Sequence, residues 1–162
     1  MTNPPSREDI WRVAATVCDP EIPVLTIADL GVLRDVRVQG EQIDIDITPT
    51  YSGCPAMDMI TLEVEQAVEQ AGFARPHVHL VLSPAWTTEF LTDAGRRKLL
   101  DYGIAPPVAA TGRRALFGEE QLSCPRCSST NTEEIAPFGS TSCKALWRCR
   151  ACHEPFDYFK CH

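Results

Sequence analysis

Val36-Arg37-Val38-Gln39-Gly40-Glu41-Gln42-Ile43-Asp44-Ile45-Asp46-Ile47 decides the fold of the larger part of this chain. Apolar and polar side chains alternate on both sides of Gly40. Successive strand residues point to opposite faces, so the alternation predicts a hairpin with one buried face. Toward the N-terminus, Ser6-Arg7-Glu8-Asp9 reads as a helix start: the Ser6 hydroxyl is placed for an orphan amide, carboxylates fill the first turn, and Ile10, Val13, Ala14 and Val17 follow at helical spacing. That helix is expected to end near Cys18. Asp19-Pro20-Glu21-Ile22-Pro23 must be extended, because each proline disfavours helical conformation in the residue before it.

Toward the C-terminus, Pro49-Thr50-Tyr51-Ser52-Gly53-Cys54-Pro55 is a loop. A second helix is expected from Cys54, with Pro55 suited to a first helical position, Ile60, Val64, Ala67, Val68 and Ala71 as its apolar side, and Gly72 as its stop. A third strand is expected from His77 to Leu82, with Val78, Leu80 and Leu82 on one face, and a polar-faced helix from Thr88 to Tyr102. Residues 1–103 therefore read as αββαβα, an α+β domain in which helices pack over a small mixed sheet.

Residues 104–118, with Pro106-Pro107 and Arg113-Arg114, have the composition of a linker. In residues 119–162, two Cys-x-x-Cys pairs, Cys124/Cys127 and Cys149/Cys152, stand 21 residues apart. Two tight turns each presenting two thiolates can enclose one ion at about 2.3 Å per sulfur, the closed tetrahedron of a structural zinc site. A segment this short cannot bury enough apolar area alone, so the tail is expected to be a zinc-ribbon-like module stapled by its metal. Four thiolates accept zinc and iron–sulfur clusters alike, and Cys143, Cys161, His153 and His162 are surplus ligands nearby.

The chain's 162 residues carry a formal net charge of −7. Residues 1–103 hold 16 acidic and 8 basic side chains, and residues 104–162 hold 6 and 7. An acidic front repels phosphate backbones, and a nearly neutral tail supplies little counterion release, so nucleic-acid binding is disfavoured. Arg126, Lys144, Arg148, Arg150 and Lys160 keep a nucleic-acid-binding ribbon open as an alternative. The first residues have no apolar run, so neither a signal peptide nor a membrane span is expected; eight cysteines in an exported chain would suggest disulfides, and the missing export signal instead favours a reducing, cytoplasmic setting in which paired cysteines hold metal.

Cys54 is the most reactive position on paper. A thiol at a helix N-terminus faces unpaired amides and the positive dipole end, which favours thiolate, although a free cysteine is as often simply buried. The carboxylates of Asp19 and Glu21 flank a rigid bend and can equally be solvated. No His/Asp pair stands ready to activate Cys54; a thiol-dependent redox protein remains an alternative. His77 and His79 share a strand face and could ligate a metal together, or decorate an exposed edge. Glycine-rich nucleotide fingerprints and the carboxylate–histidine sets of a di-iron bundle are missing from the sequence.

Asp19-Pro20-Glu21-Ile22-Pro23, Asp29-Leu30-Gly31 and Thr50-Tyr51-Ser52-Gly53-Cys54-Pro55 together resemble the small domain shared by cytosolic iron–sulfur assembly proteins and their bacterial relatives. With Gly95-Arg96-Arg97-Lys98-Leu99, Gly103-Ile104-Ala105-Pro106-Pro107, Cys124-Pro125-Arg126-Cys127, Phe138-Gly139-Ser140-Thr141-Ser142-Cys143-Lys144 and Glu154-Pro155-Phe156-Asp157-Tyr158-Phe159-Lys160-Cys161-His162, the chain is similar throughout to the phenylacetate-degradation branch of that family. The resemblance implies Asp19, Glu21, Thr50 and Cys54 as the functional patch. It also implies an accessory role beside phenylacetyl-CoA epoxidase, a multicomponent di-iron monooxygenase that epoxidises the ring of phenylacetyl-CoA. On that reading the chain is not itself catalytic; it assists assembly or repair of the iron–sulfur cluster in the reductase component. Its implied partners are the other epoxidase components, the iron–sulfur reductase above all, and related domains often form homodimers. Iron or an iron–sulfur cluster is then a cofactor open to it beside structural zinc.

Overall fold

The computed structural model describes residues 4–108 and 121–160. The chain divides into two compact units, Met1–Gly95 and Arg96–His162.

In the first unit the elements run α1 (Arg7–Ala14), β1 (Leu33–Gln39), β2 (Gln42–Ile47), α2 (Ala56–Gln70), β3 (His77–Leu80), a 3-10 turn (Thr88–Phe90) and the start of α3 (Asp93–Asp101). The hairpin forms as its alternation requires, with Val36 opposite Ile45 and Val38 opposite Ile43. Ile43, Ile45 and Ile47 are completely buried, and each contributes roughly 1.5–3 kcal/mol by leaving water. β3 adds to the far side of β2 in parallel, so α2 is the crossover between them, and the sheet order is β1-β2-β3. Ile60, Val64 and Val68 of α2 are buried, and α1 packs on β1 and α2. This is the α+β arrangement the sequence predicts.

The element ends differ from expectation in instructive ways. α1 stops at Ala14, and the next residues fold through 3-10 type bonds from Thr16 to Val13 and Val17 to Ala14. α2 begins at Ala56 with Pro55 as its N-cap, two residues beyond Cys54. The long helix expected from Thr88 is interrupted: Leu91 and Thr92 are not helical, and the Thr92 amide donates to the Asp29 carbonyl instead. Val78, Leu80 and Leu82 were expected on one packed face. β3 ends at Leu80, two residues short of the expected Leu82, and Leu80 and Leu82 are 54% and 61% exposed at the edge of the sheet.

The Asp29-Leu30-Gly31 stretch is a turn that locks the core. Thr26 and Asp29 cap each other, side chain to amide, at 3.0 Å in both directions. The indole of the buried Trp86 donates to the Leu30 carbonyl at 2.7 Å. Gly31 has φ +70°, and a Cβ there would lie 2.4 Å from the Phe90 carbonyl oxygen, so only glycine fits.

The second unit contains the rest of α3, then β4 (Ile104–Ala105), β5 (Thr132–Ala136), β6 (Lys144–Cys149) and β7 (Pro155–Phe159), in the order β4-β7-β6-β5. The unit boundary thus falls inside α3, ahead of the position 103 expected from sequence. Ile104 and Ala105, read as the start of a linker, pair in parallel with Asp157 and Tyr158; residues 109–118 of that expected linker lie outside the described residues. The core is small: Ala105, Leu122, Ala145, Trp147, Phe156 and Tyr158 pack with Cys124 and Cys149, and Trp147 meets Tyr158 edge-on at 6.1 Å. Among the described residues, no helix is long and apolar enough to cross a membrane.

Candidate metal centre and thiol patch

The two Cys-x-x-Cys turns are built alike. The Cys124 amide donates to the Ser129 carbonyl and the Cys149 amide to the Glu154 carbonyl, both at 2.9 Å and both spanning five residues. Ser128 and His153, each immediately after the second cysteine, adopt left-handed backbone at φ 63° and 64°. In each pair the first cysteine is buried and the second lies closer to solvent. The four sulfurs all lie within 4.8 Å of one another, the only such His/Cys/Asp/Glu group among the described residues. Cys124 and Cys152 are 3.7 Å apart and Cys127 and Cys149 3.6 Å, far too long for disulfides. A single ion with sulfur at about 2.3 Å gives tetrahedral edges of about 3.8 Å, so the cluster is a metal-binding centre whose spacing suits one ion. A multi-iron cluster, which divides its four cysteines between two or four irons, spreads its ligands wider.

The thiols also show why a cation belongs there. The Cys152 amide, above all, draws the Cys149 thiol down to about 7. Cys152 is pushed up to about 12: the Glu154 amide pulls it down, but burial and the sulfurs of Cys127, Cys149 and Cys124 outweigh that pull. Four thiolates repel one another unless a cation sits among them.

The surplus ligands stay apart. Cys143 is buried and bonded to the Thr141 hydroxyl at 3.0 Å, His153 is exposed, and Cys161 and His162 lie outside the described residues. The five basic residues that suggested nucleic acid are engaged otherwise. Arg126 pairs with Glu154 at 2.6 Å, Arg148 and Arg150 both grip Glu133, Lys160 lies 4.1 Å from the Phe138 ring centre, and Lys144 is buried.

In the first unit, Asp19–Pro23, expected to be extended, is instead a closed finger of bends, because the Asp19 hydrogen bonds fold it back on itself. Asp19 donates its amide to the Leu25 carbonyl at 2.9 Å, and its Oδ1 accepts from the amides of Glu21 and Ile22, both at 2.8 Å. One oxygen of this buried carboxylate is therefore occupied in shaping the turn that presents Glu21. Cys54 is half-buried in the loop before α2, its amide donating to the Tyr51 carbonyl at 3.3 Å. Burial, first of all, pushes the Cys54 thiol up. The Ala56 amide and the Tyr51 side chain pull it down, while the Glu21 and Asp19 carboxylates push it further up. The thiolate anticipated from a helix dipole is thus a thiol, because α2 starts two residues later and desolvation outweighs the dipole.

Three of the four patch residues hence bear on one another across two loops. Thr50 shares the Cys54 loop, half-buried, and no hydrogen bond among the described residues ties its hydroxyl to the other three. Tyr51, which reaches the thiol, was not anticipated; nothing in its spacing marks it. The Thr26/Asp29 cap could have been found from its Thr-x-x-Asp pattern. His79 pairs with Asp44 at 2.7 Å across the sheet, a decoration of the exposed face.

The fold and these sites define a protein class: an iron–sulfur-assembly-type domain followed by a four-cysteine zinc β-ribbon. Residues 7–73 match the family described as iron–sulfur cluster assembly protein, and residues 109–160 match the PaaD zinc beta ribbon domain. A protein of Escherichia coli (strain K12), whose name makes it the D component of 1,2-phenylacetyl-CoA epoxidase, is 49% identical over 158 residues, covering 98% of this chain and 94% of its own. An Fe-S protein maturation auxiliary factor of Porphyromonas gingivalis is 33% identical over 96 residues, covering 58% of this chain and 90% of its own. In fold, a domain of unknown function from Bacillus anthracis superposes with TM-score 0.54 at 24% identity, over 57% of this chain and 90% of that one. A conserved hypothetical protein from Thermotoga maritima gives 0.52 at 26%, over 61% and 98%. The chain belongs to the PaaD family.

Proposed function

We propose that this chain is a maturation factor for phenylacetyl-CoA epoxidase in aerobic phenylacetate catabolism, acting on the iron–sulfur cluster of the reductase component and leaving ring oxidation to other subunits. The observation that carries the reading is the pairing, in one chain 49% identical to a protein named as an epoxidase component, of an assembly-type domain with a thiol set against two carboxylates. Cys54 is a soft ligand and Glu21 a hard one, and a mixed pair holds iron without enclosing it. A thiol pushed upward is protonated at neutral pH, so each ion captured displaces a proton to water and each proton regained helps the ion leave. Asp19 shapes the finger that carries Glu21.

In the ribbon we infer zinc on Cys124, Cys127, Cys149 and Cys152. The sulfur spacing supports a single ion, and four protein ligands leave no open position, so zinc there staples the fold and supplies no substrate chemistry. Metal analysis and a visible spectrum of anaerobically purified protein separate a colourless zinc site from a brown cluster. Two competing readings lose support: a nucleophilic redox thiol needs a depressed pKa, and a nucleic-acid ribbon needs free cations, whereas the ribbon arginines among the described residues are paired with acids.

Cys54→Ala should leave folding and ribbon metal intact and lower the iron–sulfur content of the reductase matured with it. Unchanged cluster occupancy removes Cys54 from the mechanism.

A further inference from the structure

We propose that the outward face of α2 is the docking surface for the client, and that it receives a basic, apolar-faced segment of that client polypeptide. The inference rests on the maturation reading and names the partner surface beside its thiol.

A soluble helix normally buries one apolar stripe and turns charged residues of both signs to water. α2 does the first with Ile60, Val64 and Val68, but its other face departs from the pattern. Met59 and Leu62, one turn apart, are 49% and 45% exposed. At about 100° per residue, Asp58 and Glu63 fall on opposite sides of that pair, so acid flanks the apolar stripe on both edges. The helix has no lysine or arginine in its 15 residues.

Charge complementarity decides what would cover this face. Met1–Gly95 contains fifteen acidic and five basic side chains, a net charge of −10. All five arginines are engaged within the unit: Arg7 with Asp35, Arg12 with Asp9, Arg37 with Asp46, Arg75 with Glu65, and Arg34 over the Phe90 ring. A second copy of an acidic, arginine-committed surface would meet like charge. An anionic membrane or nucleic acid would be repelled. A client segment bearing lysine or arginine around apolar side chains fits the stripe and its flanks together, and methionine is enriched at the centres of such interfaces. The placement also suits delivery, because the stripe begins in the first turn after the loop that holds Cys54.

The full-length protein, its Met59→Gln/Leu62→Gln double variant and its Asp58→Lys/Glu63→Lys double variant should be titrated with the purified epoxidase reductase at low and high salt. Glutamine keeps helix propensity, and thermal unfolding checks each fold. We expect the apolar variant to bind at least about tenfold more weakly. The charge-reversed variant should associate more slowly and lose the salt dependence of the native protein. Leu80→Gln/Leu82→Gln, on the other exposed apolar pair, should bind like the native protein. If the native protein binds and neither α2 variant differs from it, or if only the Leu80/Leu82 variant is weakened, the docking assignment is wrong and the maturation reading survives. If the native protein binds neither the reductase nor any other epoxidase component, the maturation reading falls and takes this surface with it.

Discussion

The ribbon and the front patch both offer sulfur, and they differ in how fully their ligands are saturated. At the rear, two turns of matching hydrogen-bond pattern bring four thiols within 4.8 Å, enough to close a tetrahedron. At the front, one half-buried thiol feels the charge of two carboxylates, one of which already spends an oxygen on two backbone amides. The first arrangement holds an ion for the lifetime of the fold. The second, as proposed above, would offer one or two ligands and let go. On the reading proposed above, retention and transfer follow from ligand count and enclosure rather than from the presence of cysteine.

The sharpest way to break this contrast is to remove a rear sulfur. Cys149→Ala should release the metal and unfold the ribbon, a loss on the order of 10 kcal/mol of metal-coupled folding free energy. Metal stoichiometry and NMR of residues 121–160 report it, while the β1–β3 sheet should keep its own cooperative transition. A ribbon that stays folded after chelation would show that its apolar core, and not an ion, holds it.

A smaller effect separates shape from ligation at the front. Asp19→Ala leaves the Glu21 and Ile22 amides without their acceptor and should cost about 2 kcal/mol in urea unfolding. Asp19→Asn retains the accepting oxygen and should recover most of that stability and most of the client cluster content. If Asn proves as damaging as Ala, the charge of Asp19 matters beyond the turn.

The smallest effect concerns Glu133, which Arg150 and then Arg148 hold down to about 2 by side-chain hydrogen bonds. A depressed folded-state pKa stabilises above the unfolded value and stops doing so as protons bind. The ribbon should therefore lose this contribution as pH falls from about 4.5 toward 2. Acid also strips thiolate-bound metal, so the check is made near neutral pH, where Glu133→Gln should shift the metal-loaded ribbon's thermal unfolding profile slightly downward. An unchanged profile would mean the triad is a solvated decoration.

Much of this was legible in the residues. The alternation from Val36 to Ile47 sets one face of the sheet, Ser6 caps α1 by accepting from the Asp9 amide at 3.1 Å, and the cysteine spacing announces the ribbon. Local periodicity suffices there because each feature depends on neighbours a few positions away. Leu80 and Leu82 show where it stops: a strand pattern reports which face a residue takes, not whether a helix extends over it. Cys54 shows the same limit for chemistry. Its expected ionisation depended on where α2 starts and on which loop comes to face it, and both differ from the local reading.

By itself, then, the amino-acid order determined the α+β hairpin core, the capped first helix and the four-thiol tail, since short-range alternation, capping and turn chemistry carry them. Only tertiary structure decided that Asp19 shapes the turn carrying Glu21, that both carboxylates push the Cys54 thiol up, that Arg126, Arg148 and Arg150 are tied to acids, and that α2 leaves an acidic, apolar face uncovered. Those properties come from desolvation and from charges brought together across tens of residues, which no local pattern contains.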